Sequence, residues 1–234
     1  MTTSYQTKLR SLGNPQIAQH SQGFFKTGVG EYGEGDLFLG IRVPVLRKFS
    51  KELYSISQEE IQSFLDSKYH EERMVGLLIL VNQYTTANGA AGQDKAYQFY
   101  LKNFPRINNW DLVDMSCPAV IGHYLFSKDR SLLDQWALSE RLWTRRIAII
   151  STLYFIRQSE LHDTFRLAHC LLFDKEDLIH KAVGWMLREA GKRDNKQLTD
   201  FLDLSYAQMP RTMLRYAIEK QPEPVRQQYL KGRR

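Results

Sequence analysis

The chain is 234 residues long, 43% hydrophobic and 25% charged, with 32 Lys and Arg against 26 Asp and Glu. That length suits one domain, or two small ones, with enough chain to bury a core, and the mixture is that of a soluble globular protein. The longest apolar run, Met74 to Val81, is far too short to span a bilayer, and the opening MTTSYQTKLRSLG lacks the apolar core of a secretory signal. Two cysteines, Cys117 and Cys170, make neither a disulfide framework nor, alone, a structural zinc site. We expect both as packed, reduced thiols in a cytoplasmic protein.

Taken in chain order, the first distinctive stretch is QGFFKTGVGEYGEGDLFLG, 22–40, with a glycine-rich loop at 27–36. Gly28, Gly30 and Gly33 spell G-x-G-x-x-G, which cradles a phosphate when it joins a strand to a helix. No strand pattern precedes it, and Glu31, Glu34 and Asp36 would repel a phosphate. The segment reads as a flexible loop. Helical periodicity then dominates: apolar residues fall at three- and four-residue intervals around 44–54, 58–66, 70–83, 94–102, 109–126, 130–137, 143–157, 162–172, 176–191 and 197–204. Ser57 with Glu60 has the form of a capping box, and Asn108 or Asn109 precedes a new helix. No segment alternates with period two, so the fold class is all-α.

A repeat runs beneath this pattern. Arg73-Met-Val-Gly-Leu-Leu, Arg146-Ile-Ala-Ile-Ile and Lys181-Ala-Val-Gly-Trp-Met each place a basic residue ahead of a long apolar helix. Arg215-Tyr-Ala-Ile fits as a further copy, and Asn109 stands where another belongs. These anchors are separated by 36, 37, 35 and 34 residues, the interval of one helix-turn-helix unit in an α-solenoid.

Three constellations carry possible chemistry. In NNWDLVDMSCP, 108–118, Trp110 and Asp114 are four apart and present an indole and a carboxylate on one helix face. Asp111 in the first turn suits the helix dipole. In LWTRRIAIISTLYFIRQ, 142–158, Arg146, Ile150, Leu153 and Arg157 share a face, flanked by Arg145. In IHKAVGWMLREAGKR, 179–193, Lys181, Trp185, Arg188 and Lys192 form one stripe, while Ala182, Val183, Met186, Leu187 and Ala190 supply the core side. Cations beside an aromatic are a device for gripping nucleic acid. The charge agrees: residues 1–140 hold 14 basic and 15 acidic residues, net −1, and residues 141–234 hold 18 and 11, net +7, ending in Lys231, Arg233 and Arg234. No metal-binding spacing occurs among the scattered histidines, and no hydrolase nucleophile motif is present.

The segments FLGIRVPVLRK (38–48), WDLVD (110–114), LWTRRIAII (142–150) and KAVGWMLREAGK (181–192) closely resemble those of AlkD-type DNA alkylation repair glycosylases, in the same order. The resemblance covers about residues 15 to 230. It implies one domain over 1–234, built as a right-handed α-α superhelix of HEAT-like repeats whose concave cationic face holds duplex DNA. It further implies an aromatic–carboxylate–aromatic cleft at Trp110, Asp114 and Trp185, with phosphate contacts at Arg146 and Arg188. Lys181, Lys192, Arg145, Arg42 and Arg47 are further DNA-binding candidates. Well-described members carry an N-terminal Tyr in the cleft; the nearest positions here are Phe24, Phe25 and Tyr32. The implied enzyme is a monomer without metal or cofactor, acting on alkylated purines in double-stranded DNA. The competing reading is a non-catalytic repeat protein that binds nucleic acid or another protein.

Overall fold

The apolar spacing closes into helices in the register it implies. In the computed structural model, which describes residues 3–232, no strand forms among the described residues, and one isolated parallel bridge joins Leu37 to Tyr69. Arg233 and Arg234 lie outside the described residues. The chain forms two compact units that divide between Ser116 and Cys117.

The first unit contains α1 (Ser4–Arg10), α2 (Pro15–Phe24), α3 (Val43–Lys51), α4 (Gln58–Leu65), α5 (His70–Thr86), α6 (Gly89–Lys102) and the start of α7 (Trp110–Cys117). Helix starts follow side-chain chemistry: Ser57 and Glu60 make both bonds of a capping box, and Asn14 receives two amides at the head of α2. Helix α5 is central, with α3, α4 and α6 packed against it. A helix enclosed on all sides should be apolar on all sides. Most of α5 is, but its first turn reads His70-Glu71-Glu72-Arg73, and all four are buried.

Burying a charge is tolerable only where it is paired and hydrogen-bonded. Each of the four meets that condition through partners elsewhere in the chain. His70 Nδ1 lies 3.3 Å from Asp36 and Nε2 lies 2.8 Å from Asp111. The Glu71 carboxylate accepts the backbone N–H groups of Leu39, Gly40 and Ile41 at 2.8–3.2 Å. Glu72, wholly buried, accepts from Gln6 at 2.9 Å and Arg10 at 2.6 Å, which docks α1. Arg73 pairs with Asp36 at 2.7 Å and donates to the Ser67 carbonyl. The segment that Glu71 grips includes Gly40, at φ +78°, where a Cβ would sit 2.0 Å from the Asn14 carbonyl oxygen. The loop before it is a series of hydrogen-bonded turns rather than a free excursion, and its far end is anchored through Asp36. Within it, Gly28 and Gly30 donate their amides to Glu31 and Glu34, which fills the positions a phosphate would need.

The second unit contains a π-helical turn (Pro118–Gly122), α8 (His123–Phe126), α9 (Ser131–Ala137), α10 (Leu142–Arg157), α11 (His162–Cys170), α12 (Asp177–Gly191), α13 (Asn195–Ser205), α14 (Arg211–Ala217) and α15 (Glu223–Leu230). The single helix expected over 109–126 is thus interrupted. Pro118 has no N–H to give the ladder, and the next turn widens. Helices α10, α12 and α14 pack in a row, and α9, α11 and α13 pack against α10 and α12. The repeat register holds: Arg146, Lys181 and Arg215 are each the fifth residue of their helix. Gly184 permits the close approach of α12 and α14, since a Cβ there would lie 2.5 Å from both the Met213 carbonyl oxygen and the Tyr216 Cβ. Cys117 is buried as expected, but Cys170, at the end of α11, is exposed rather than packed.

Two stability measurements test this account. Alanine is the better helix former by about 1 kcal/mol, yet Gly184→Ala should destabilise by about 2 kcal/mol through overpacking. Gly23→Ala, with open space around it, should be neutral or stabilising; equal thermal shifts for the two would remove the close-packing argument. The second measurement concerns His70. Burial alone would lower its pKa, but Asp111 and Asp36 outweigh burial and the repulsion of Arg73 and raise it to about 9. A raised folded pKa gives stability that is complete below the unfolded value near 6.5 and lost as pH rises through about 9. Denaturant titrations should show wild type losing on the order of 3 kcal/mol over that window, and His70→Ala losing much less. Parallel curves for the two proteins would contradict the buried imidazolium.

Candidate active site

Helix α7 opens where Asn109 accepts the Trp110 N–H at 2.8 Å. Leu112 and Val113 turn inward and are fully buried. Trp110, Asp111, Asp114 and Met115 are left half-buried, so Trp110 and Asp114 share the outer face that their spacing implied. The Trp110 ring is not isolated. Phe25 lies nearly parallel to it at 5.5 Å, and Phe24 meets it edge-on at 6.2 Å. Phe24 is 58% exposed, so its ring and that of Trp110 make one aromatic surface open to solvent. The Tyr32 hydroxyl lies 3.4 Å from the Phe24 carbonyl. Phe24 and Phe25 thus both lie against Trp110.

Asp111 has a second role beside its expected one. It does suit the helix start, accepting the Leu112 N–H, but its other oxygen faces the buried His70. His70 is in turn stacked on Phe38 at 4.7 Å and lies 5.0 Å from Phe25. Burial pushes the Asp36 carboxyl up, but His70, Arg73 and Asn108 together hold it below its ordinary pKa. Beside this cluster is a cavity of about 450 Å³, lined among others by His20, Phe25, Phe38, Arg42, Glu71 and Asp111. Arg42 stands exposed at the head of α3, and Arg47 is exposed on the same helix. His70, Asp36, Phe38 and Glu71 were not singled out from sequence as parts of a site. The available signal was the run of four ionisable residues opening an otherwise apolar helix.

In the second unit the α12 stripe forms as spaced. Ala182, Val183, Met186, Leu187 and Ala190 are fully buried, while Lys181, Trp185, Arg188 and Lys192 keep solvent contact. Trp185 borders a cleft of about 420 Å³ shared with Arg157, Lys192 and Arg193 over Leu153 and Ile156. Acids thread through the cations. The Trp185 indole N–H donates to Glu189 at 3.2 Å, Lys192 donates to Glu189 at 2.7 Å, Arg188 pairs with Glu219, and Lys181 pairs with Asp177 at 2.7 Å. Arg145 and Arg146 are placed differently from the others. Arg145 holds Asp174 at 2.6 Å and the carbonyls of Ser139 and Glu140. Arg146 is 5% exposed and donates to the Leu178 carbonyl at the start of α12. Both tie α10 to the segment around the head of α12. Among the described residues no group of three or more His, Cys, Asp or Glu could hold a metal ion, and no helix is long and apolar enough to cross a membrane.

Comparison with known proteins places this geometry in context. No curated protein matches the sequence significantly. Among solved structures, a predicted DNA alkylation repair enzyme from Enterococcus faecalis shares the fold, with a TM-score of 0.72 at 16% identity, over 90% of this chain and 97% of that one. The sequence itself matches the DNA alkylation repair enzyme family over residues 5–221. The chain belongs to the DNA alkylation repair enzyme family.

Proposed function

We propose that this family member is a monofunctional DNA glycosylase that hydrolyses the N-glycosidic bond of cationic N3- and N7-alkylated purines in duplex DNA, leaving an abasic site. The observation that carries the proposal is the outer face of α7, where Asp114 stands beside Trp110 and Trp110 continues into the exposed ring of Phe24. An alkylated purine already bears positive charge. As its bond to C1′ breaks, the bonding electrons neutralise the base, and it leaves without a general acid. Positive charge builds instead on the deoxyribose, and water then adds to C1′ and loses a proton. One carboxylate can stabilise that charge and orient the water, and Asp114 is assigned this role. Trp110 and Phe24 favour a cationic sugar or base through their π faces, and the family resemblance assigns the same role to Trp185. Most glycosidases need a second carboxyl group to protonate a poor leaving group; here that requirement is absent, and the chemistry calls for neither metal nor cofactor.

Duplex binding is assigned to Arg188, Lys181 and Lys192 of α12, with Arg157 and Arg193 around the Trp185 cleft, and to Arg42 and Arg47 of the first unit. Exposed ion pairs such as Lys192–Glu189 are weak, so a phosphate can displace the acid. Arg145 and Arg146, held by carbonyls and Asp174, are assigned primarily to the fold. The enzyme would act as a cytoplasmic monomer associated with DNA. The same ion pairs favour a second reading, a non-catalytic repeat protein, because they neutralise much of the stripe before any DNA arrives.

Two experiments separate the readings. Asp114→Asn keeps the side-chain shape but removes the charge, so single-turnover release of 7-methylguanine or 3-methyladenine should fall roughly 100-fold, the loss expected for one such stabilising group. Binding to undamaged duplex should stay level or tighten slightly. Equal release by variant and wild type would reject the mechanism. For binding, Arg188→Ala and Lys192→Ala should each weaken duplex affinity and reduce the salt slope by about one. Unchanged affinity and slope in both would move the footprint elsewhere.

A further inference from the structure

A carboxylate can stabilise a developing cation only when it is held at a fixed angle to it, and misplacement by about 1 Å can cost 100-fold in rate. Helix α7 is poorly equipped to hold that angle by itself. It is eight residues long and is followed directly by Pro118, where the helix widens. Leu112 and Val113 bury one side of its first turn, and the polar tie from that turn to the interior runs to His70.

The imidazole reaches α7 by two routes. Its Nε2 lies 2.8 Å from Asp111, the neighbour of Trp110 in sequence. Its ring lies 5.0 Å from Phe25, which stacks beneath Trp110 at 5.5 Å. On the other side Nδ1 faces Asp36 at 3.3 Å, and Phe38 stacks on the ring at 4.7 Å. Both ring nitrogens thus face carboxylates, which are acceptors when ionised. A neutral imidazole has one donor and one acceptor, so it can satisfy only one of them; the imidazolium satisfies both.

We propose that His70 is the positioning residue of the candidate site: as an imidazolium bridging Asp36 and Asp111, it fixes the rotation of α7 and seats Trp110 against Phe25, and thereby aims Asp114. The consequence for base release rests on the glycosylase reading; the consequence for Trp110 does not. The groups that face His70 are Asp36 from the glycine-rich segment, Asp111 from α7 and Arg73 on its own helix, while the adjacent Glu71 is turned to the backbone amides of residues 39–41. The two acids prevail over Arg73, and the charged form persists to about pH 9. Loss of the proton releases one carboxylate, and release of Asp111 loosens the turn that carries Trp110.

The test uses the full chain. The His70 ring and the Trp110 indole N–H are followed by NMR from pH 6 to 10, beside single-turnover release of alkylated purine above the enzyme-free background. In wild type, both resonances should shift together with a midpoint of about 9. Asp111→Asn keeps an acceptor for the imidazole but removes its charge, so both midpoints should fall by about one unit or more. The alkaline limb of base release should fall with them. For a one-unit fall the rate at pH 8.5 should drop about threefold, while duplex affinity stays level, a split that simple loss of folded protein would not produce. The proposal is overturned if wild-type Trp110 does not follow His70, or if Asp111→Asn leaves the Trp110 midpoint in place. The wild-type co-titration needs no variant, so poor folding of Asp111→Asn cannot shield the proposal. Absence of base release by wild type, with Trp110 still following His70, overturns the glycosylase reading and leaves the positioning role standing.

Discussion

The first turn of α5 places His70, Glu71, Glu72 and Arg73 inside the first unit, and their burial is sustainable only because each has partners elsewhere in the chain, Asp36 serving both His70 and Arg73. Removing one partner from a buried pair strands the other, at about 3–5 kcal/mol. That penalty makes the arrangement specific. The α1 helix, the segment around Gly40, the glycine-rich loop and the head of α7 are all referred to one turn of one helix. Apolar packing of α3, α4 and α6 around α5 supplies cohesion, but it does not by itself choose where the polar segments dock. The ion pairs do.

This arrangement gives the candidate site its support. Trp110 and Asp114 stand at the surface because Leu112 and Val113 occupy the interior side of α7. Their orientation depends on layers beneath them: Phe25 under Trp110, Phe38 and His70 behind Phe25, and Asp36 and Arg73 behind His70. A surface carboxylate on a short helix is thereby referred to the centre of the unit. The second unit uses a plainer scheme. Equivalent basic residues sit at the same position along α10, α12 and α14, but they diverge in use. Arg146 is drawn inward to a carbonyl of the next segment, Lys181 stays half-exposed beside Asp177, and Arg215 is exposed.

Much of this was legible in the sequence, for identifiable reasons. The long helices have wide apolar stripes, so α5, α10 and α12 were readable from spacing alone, as was the 34–37-residue repeat. The α12 stripe came out as spaced because its two faces differ sharply in polarity. Helices α1, α2 and α15 were not readable: they are short and bury few residues, and α1 is docked by Gln6 and Arg10 rather than by an apolar face. The interruption after Cys117 depends on Pro118 inside an otherwise helical pattern. Long-range pairing was the larger gap. Nothing local links His70 to Asp111, 41 residues away, and Asp36 looked like another loop acid. Net charge, likewise, overstated the free cations of α12, because Glu189 and Glu219 meet them in space.

The proposed chemistry rests on membership of the DNA alkylation repair enzyme family and on the half-buried Trp110–Asp114 face of α7. A single carboxylate without a proton donor suffices for a leaving group that is already cationic, and fails for a neutral one. The direct measurement is chromatographic identification of free bases released by the wild-type protein from duplex DNA carrying both kinds of lesion. Release of 7-methylguanine and 3-methyladenine with an equal yield of abasic sites, and retention of a neutral lesion such as hypoxanthine, is the predicted result. Intact cationic lesions in a duplex that the protein nevertheless binds would contradict it.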